Sequence, residues 1–190
     1  EGNYDLILDS LKNCAGVFPP TRETGERFLS LMTGALGEID YLLCSGEPFE
    51  NLFVRRFAKE EMTWIPNLAL ANPWALKHPW TAALKGKRVL VVHPFEETIR
   101  RQYRKREKLF EGTDILPEFE LVTYRSMVTI GDYHDPSCPD FFTALEHQFK
   151  EISELEFDAA LLGCGAYGCS SEFWGQDGTA AVFPARVPRR

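Results

Sequence analysis

Residues 85–98 read Lys85-Gly86-Lys87-Arg88-Val89-Leu90-Val91-Val92-His93-Pro94-Phe95-Glu96-Glu97-Thr98, and the fold turns on how this stretch is read. Val89 to Val92 is an unbroken aliphatic run, largely β-branched, without the apolar/polar alternation of a strand that has one wet face. Such a run predicts a strand covered on both faces. The polar cluster after it, His93 to Thr98, opens a predicted helix over 96–110.

The same alternation of elements continues outward. Phe119 to Tyr124 predicts a second strand, Pro139 to Leu155 a helix, and Phe157 to Leu162 a third strand. Strand, helix, strand, helix, strand implies right-handed crossovers and a parallel sheet. The expected class is α/β, a Rossmann-like parallel sheet with flanking helices, preceded by a mostly helical N-terminal segment. In that segment Ile7, Leu8 and Leu11 form one stripe of a helix over Tyr4–Cys14, and Thr21 caps a second helix that buries Phe28, Leu31, Met32 and Leu36. Asp40 to Cys44 predicts a short strand, Leu52 to Met62 a helix, and Asn67 to Ala71 one strand within an irregular connection. One α/β domain over 1–168 is expected. It divides into a helical N-terminal region over 1–84 and a βαβαβ region over 85–168, and an atypical or disordered tail follows over 169–190.

Composition narrows the function classes. The 190 residues are 44% hydrophobic and 26% charged, as in a globular protein, and the formal net charge is −7. A negative chain gives no reason to expect nucleic acid as a partner, since phosphate backbones attract clustered Lys and Arg. No apolar run approaches the roughly 20 residues of a membrane span and no signal-peptide pattern opens the chain, so no transmembrane segment and a cytoplasmic location are expected. The five cysteines form an odd, scattered set without a C-x-x-C pair, which favours neither a disulfide framework nor a metal site.

In a doubly wound sheet, ligands bind beyond the carboxyl ends of the strands. Two such ends carry the candidate site. At the first, His93, Glu96 and Thr98 would line a ligand at the start of a helix; alternatively His93 bonds a neighbouring backbone group and the glutamates complement the helix dipole. At the second, Gly163-Cys164-Gly165-Ala166-Tyr167-Gly168 has the G-x-G-x-x-G spacing. It lacks the following helix, strand and distal acid of a dinucleotide site. What remains is a glycine turn that lets a ligand approach Gly163, Gly165, Ala166, Tyr167 and Gly168, or a tight turn without one. Arg106 falls on the face of Ile99, Tyr103 and Phe110, where it would meet a phosphate or an internal carboxylate such as Glu118 or Asp158. Cys164 carries a weaker nucleophile reading, because Leu162 departs from the small-residue pattern of a nucleophile elbow. Trp74, Trp80 and Phe95 form either an exposed aromatic surface or ordinary core.

Four blocks carry a resemblance: AGVFPPTRETGERFLSLM (15–32), PWTAALKGKRVLVVHPFEETIRRQYRKREKLF (79–110), ILPEFELVTYRSMVTIG (115–131) and FDAALLGCGAYG (157–168). They resemble an uncharacterised bacterial family linked with surface-polysaccharide genes and similar to the GT-D glycosyltransferase fold. The resemblance implies a nucleotide-sugar ligand, with Mn²⁺ or Mg²⁺ as a companion of its diphosphate, and no nameable catalytic residue. It also implies an upstream Arg-(Phe/Tyr)-Gly-x-x-Glu block and a different C-terminus from the CSSEFWGQDGTAAVFPARVPRR found over 169–190. The expectation is therefore a truncated frame whose tail follows a frame change after Gly168, which resequencing of the encoding DNA checks. Three functions follow: a glycosyltransferase-like protein, a non-catalytic nucleotide or sugar-phosphate binding module, and a cysteine-dependent amide hydrolase.

Overall fold

The computed structural model describes residues 2–44, 50–66, 72–169 and 179–182. Its centre is the parallel sheet expected from the aliphatic run, formed by β3 (Arg88–Val92), β4 (Glu120–Tyr124), β5 (Ala159–Leu162) and β6 (Thr179–Val182) in the order β4-β3-β5-β6. Val89 pairs with Leu121 on one side and with Ala159 on the other. The protein is thus α/β, with β3 in the middle of its sheet.

The strands are apolar on both sides because both sides are covered. Leu90, Val92, Ala160 and Leu162 face one way, onto α6 (Phe141–Ser153) with its buried Phe141, Ala144, Leu145 and Ile152, and onto Val17, Phe18 and Phe28. Val89 and Ala159 face the other way, toward Phe119, Leu84, Trp80 and Tyr103. The second face is covered by the 3₁₀ turn Trp80–Leu84 and by α4 (Glu96–Tyr103). Each fully buried aliphatic side chain of β3 contributes about 1.5–3 kcal/mol by leaving water. Asp140 starts α6 by accepting from the N–H groups of Phe142 and Thr143 at 2.8 and 3.0 Å.

The chain leaves β3 through α4 to β4 on one side, then returns through α6 to β5 on the other. The carboxyl ends of β3 and β5 therefore border the point where the winding direction reverses, which is where a crevice forms in such sheets.

The N-terminal region is mostly helical among the described residues, as expected, and adds one small pair of parallel strands. The first helix covers its expected span but changes winding: α1 spans Gly2–Ser10, a π-helical turn continues it over Leu11–Ala15, and Gly16 closes it at φ 75°. Leu8 is buried but Ile7 is 49% exposed, so the proposed stripe is half wet. The second helix follows expectation as α2 (Arg22–Glu38), with Thr21 Oγ1 accepting from the Thr24 N–H at 3.2 Å. The third is shorter than 52–62, because α3 spans Glu50–Phe57 and the chain then forms β2 (Thr63–Pro66), parallel to β1 (Tyr41–Cys44). The strand expected at 67–71 lies outside the described residues.

Two further differences bear on function. The helix expected over 96–110 is broken at Arg104–Lys105 into α4 and the single turn α5 (Arg106–Leu109). A continuous helix would stack like charges four apart, Arg100 on Arg104 and Arg104 on Lys108. Instead the Tyr103 hydroxyl anchors the end of α4 to the Phe119 backbone, donating to its carbonyl at 2.8 Å and accepting from its N–H at 2.7 Å. Within the tail from 169 onward, Thr179–Val182 forms β6 beside β5, so that segment of it is ordered strand.

Candidate functional site

The turn after β3 is built on His93. Its N–H donates to the Tyr124 carbonyl at 3.0 Å, carrying the ladder one residue past the strand. Its Nδ1 accepts from the Phe95 N–H at 3.0 Å, which places the imidazole proton on Nε2. Partial burial lowers the His93 pKa below its ordinary value, so the ring is neutral near pH 7. Of the two readings of His93, the bond to a neighbouring backbone group is present, and it leaves Nε2–H as a donor with no hydrogen-bond partner among the described residues.

The end of β5 meets this ring. Gly163 donates its N–H to the Val92 carbonyl at 2.9 Å, and a Cβ on Gly163 would lie 2.6 Å from His93 Cδ2. The missing side chain at Gly163 therefore makes room for His93. Two strand ends chosen separately from the sequence are in contact at the winding reversal.

Beside them, Glu96 Oε2 accepts from the Thr123 hydroxyl at 2.9 Å and from Arg100 Nη2 at 3.2 Å, while Arg100 Nε donates to Thr123 Oγ1 at 2.5 Å. Glu96 is 18% exposed and its other oxygen has no partner among the described residues. It faces an open cleft of about 160 Å³ lined by Pro94, Phe95, Glu96, Glu97, Thr98 and Arg125. Arg125 is exposed and makes no ion pair among the described residues. Phe95 is 67% exposed at the cleft.

The sequence reading missed Arg100, Thr123 and Arg125. Arg125 had a usable signal, since it is the first residue after the second strand run, where strand-end reasoning looks for ligands. Thr123 and Arg100 had none, because their link to Glu96 depends on β4 lying beside β3.

The glycine turn behaves differently from its ligand-approach reading. Gly165 is exposed and held at φ 62°, and a Cβ there would meet open space, so glycine serves the backbone conformation. After it the chain forms a 3₁₀ turn, Gly165–Cys169, that buries Ala166, Tyr167 and Gly168. The Tyr167 ring stacks on Phe141 at 4.7 Å between centroids, and its hydroxyl lies 2.8 Å from Thr129 Oγ1. Thr129 uses its own proton on the Gly16 carbonyl at 2.7 Å, so Tyr167 is the donor in that pair. Burial pushes the Tyr167 phenol up to about 12. All three residues are buried, and Ala166 and Tyr167 pack into the first core.

Arg106 is likewise removed from the carboxyl ends of the strands. Its Nη2 lies 3.0 Å from Glu118 Oε1, just before β4 begins, so the internal carboxylate is its partner and it sits at the amino end of that strand. Cys164 is buried and its thiol is pushed up to about 12 by that burial, with Cys169 a lesser cause, which leaves it protonated and a poor nucleophile. Trp80 packs against the second core, whereas Trp74 is 59% exposed.

Among the described residues no cluster of three or more His, Cys, Asp or Glu side chains is placed to hold a metal ion, and no helix is long and apolar enough to cross a membrane. Comparison with protein families, with curated proteins and with solved structures returns no match.

Proposed function

We propose that this chain is a Rossmann-like, glycosyltransferase-type protein that binds a nucleotide sugar at the carboxyl ends of β3, β4 and β5. The observation that carries the reading is the contact of His93 with Gly163 at the winding reversal. There a neutral imidazole presents Nε2–H, and the Arg125 guanidinium, without an ion pair among the described residues, stands beyond the next strand. Neutral and cationic donors on rigid strand ends suit an oxygen-rich ligand. Mn²⁺ or Mg²⁺ would accompany the diphosphate, and the reading assigns the ion no ligand from the described residues.

One observation favours binding without transfer. The Nδ1 of His93 is occupied by the Phe95 N–H, so the imidazole has a donor to offer and no free nitrogen to take a proton. A non-catalytic nucleotide or sugar-phosphate module is accordingly the second reading.

A thermal-shift screen of the intact chain against nucleotide sugars and plain nucleotides, with and without Mn²⁺, tests the first step. Ligand at a hundred times its dissociation constant adds roughly 2.7 kcal/mol, a shift of several degrees in a domain of this size. A selective shift followed by release of nucleotide from the donor supports transfer, and a shift with no turnover supports the module. A cooperative melt that no nucleotide or nucleotide sugar moves removes both readings.

A further inference from the structure

The cleft after β3 differs in size and charge from a site for a whole nucleotide sugar. Its volume of about 160 Å³ is well below the roughly 300–1,000 Å³ of pockets that enclose a drug-sized ligand, so it takes one ring. Two carboxylates, Glu96 and Glu97, stand in the first turn of α4. Arg100 balances the first, and Arg125 adds one further cation at the rim. A diphosphate placed there would face Glu97 at close range, whereas an uncharged polyol avoids that repulsion.

The lining chemistry points the same way. Phe95 is 67% exposed beside the cleft; its ring lies 5.3 Å from the His93 ring at 47° between planes, and the side turned to solvent offers an apolar face for a pyranose. Hydroxyls around the edge of such a ring need both acceptors and donors. Glu96 supplies an acceptor: Thr123 and Arg100 fix its Oε2 and orient the carboxylate, leaving Oε1 without a partner among the described residues. The Thr98 hydroxyl and the Arg125 guanidinium supply donors from the same lining.

Resting on the sugar-nucleotide reading of this end of the sheet, we infer that the cleft is a subsite for a single neutral hexose ring. Phe95 is its stacking platform, the Glu96 carboxylate accepts from its hydroxyls, and the diphosphate is held outside it. Thr123 is a positioning residue that acts through Glu96.

Saturation-transfer NMR of the intact chain with free glucose, galactose, mannose and N-acetylglucosamine, run in parallel with uridine diphosphate, tests the subsite. At least one hexose is expected to receive saturation. Phe95→Ala should weaken that binding roughly fivefold and Phe95→Trp should retain it, since stacking follows the aromatic face. Glu96→Gln should weaken the hexose without weakening uridine diphosphate. Thermal melts of each variant check the fold, which Phe95→Ala leaves intact because the side chain is exposed. Hexose signals unchanged in Phe95→Ala overturn the inference. So does an absence of hexose signal in a protein that binds uridine diphosphate, and there the nucleotide reading survives. A Phe95-dependent hexose signal in a protein that binds no nucleotide sugar keeps the subsite and removes the nucleotide reading. A chain that binds neither removes both.

Discussion

The two strand ends at the winding reversal are neighbours, yet they turn in opposite directions. After β3 the chain runs outward: Phe95, Glu97 and Thr98 stand in solvent around a cleft that Arg125, after β4, completes. After β5 it runs inward: Ala166, Tyr167 and Gly168 close over Phe141 and Thr129. The more familiar motif, G-x-G-x-x-G, is at the inward end. A glycine marks a place where something approaches the backbone closely, and the approaching group here is the protein's own His93 ring. Close approach alone does not separate a ligand from a neighbouring side chain.

The largest effect that tests this contrast belongs to Tyr167→Ala. The ring is 2% exposed, and its loss leaves Phe141 facing a void and the Thr129 hydroxyl without its donor. Urea unfolding should show a loss of about 3–5 kcal/mol. Phe95→Ala at the outward end should stay within about 0.5 kcal/mol of the parent. Comparable losses at the two sites would erase the distinction between a packed turn and an open one.

Next in size is Gly163→Ala, which sets a methyl 2.6 Å from His93 Cδ2. The ring must move, at a cost of about 1–3 kcal/mol. Combining it with His93→Ala should recover much of the loss, and a double-mutant cycle reads the coupling directly. Additive losses would mean that the two strand ends do not share one space.

Much of this arrangement was legible in the sequence, for reasons that name its limits. Val89 to Val92 announced a doubly covered strand because burial on both faces removes the alternation. The β1–β2 pair was only half legible: Thr63–Pro66 is four residues long and carries Trp64 and a proline, too short to show a period. The expected helix over 96–110 failed where charge repeats every four residues along Arg100, Arg104 and Lys108, a conflict visible in the sequence but outweighed by the apolar spacing of Ile99, Tyr103 and Phe110. The candidate site was legible at His93, Glu96 and Thr98, which one short turn holds together. Arg125 was readable only as the first residue past a strand run, and Thr123 and Arg100 join the site through strand pairing, which local sequence does not specify.

Gly165→Ala separates the two roles of glycine within the same turn. Its Cβ would meet nothing within 4 Å, so the whole penalty is the left-handed φ of 62°. That penalty is about 1–2 kcal/mol for a residue with a Cβ. Thermal melts should show it, while any nucleotide-sugar shift persists undiminished. Loss of the ligand shift at unchanged stability would return the glycine turn to the binding site.

The smallest expected effect is the pH dependence contributed by His93, and its sign follows from the burial of the ring. Burial lowers the folded pKa below the ordinary value of about 6.5, so between those two values the unfolded chain takes up a proton that the folded chain does not. Stability from this group is present above the unfolded value and is lost as pH falls from there toward the folded value. Protonation also puts a second donor opposite the Phe95 N–H, which loosens Pro94–Phe95 at the mouth of the cleft. Melting temperatures followed from about pH 7.5 down to about pH 5 should therefore fall less steeply in His93→Asn, whose side-chain oxygen keeps an acceptor for Phe95 without titrating. Identical slopes in parent and variant would mean that the proton enters without disturbing the turn. The outward strand end would then be as rigid as the inward one, despite its exposure.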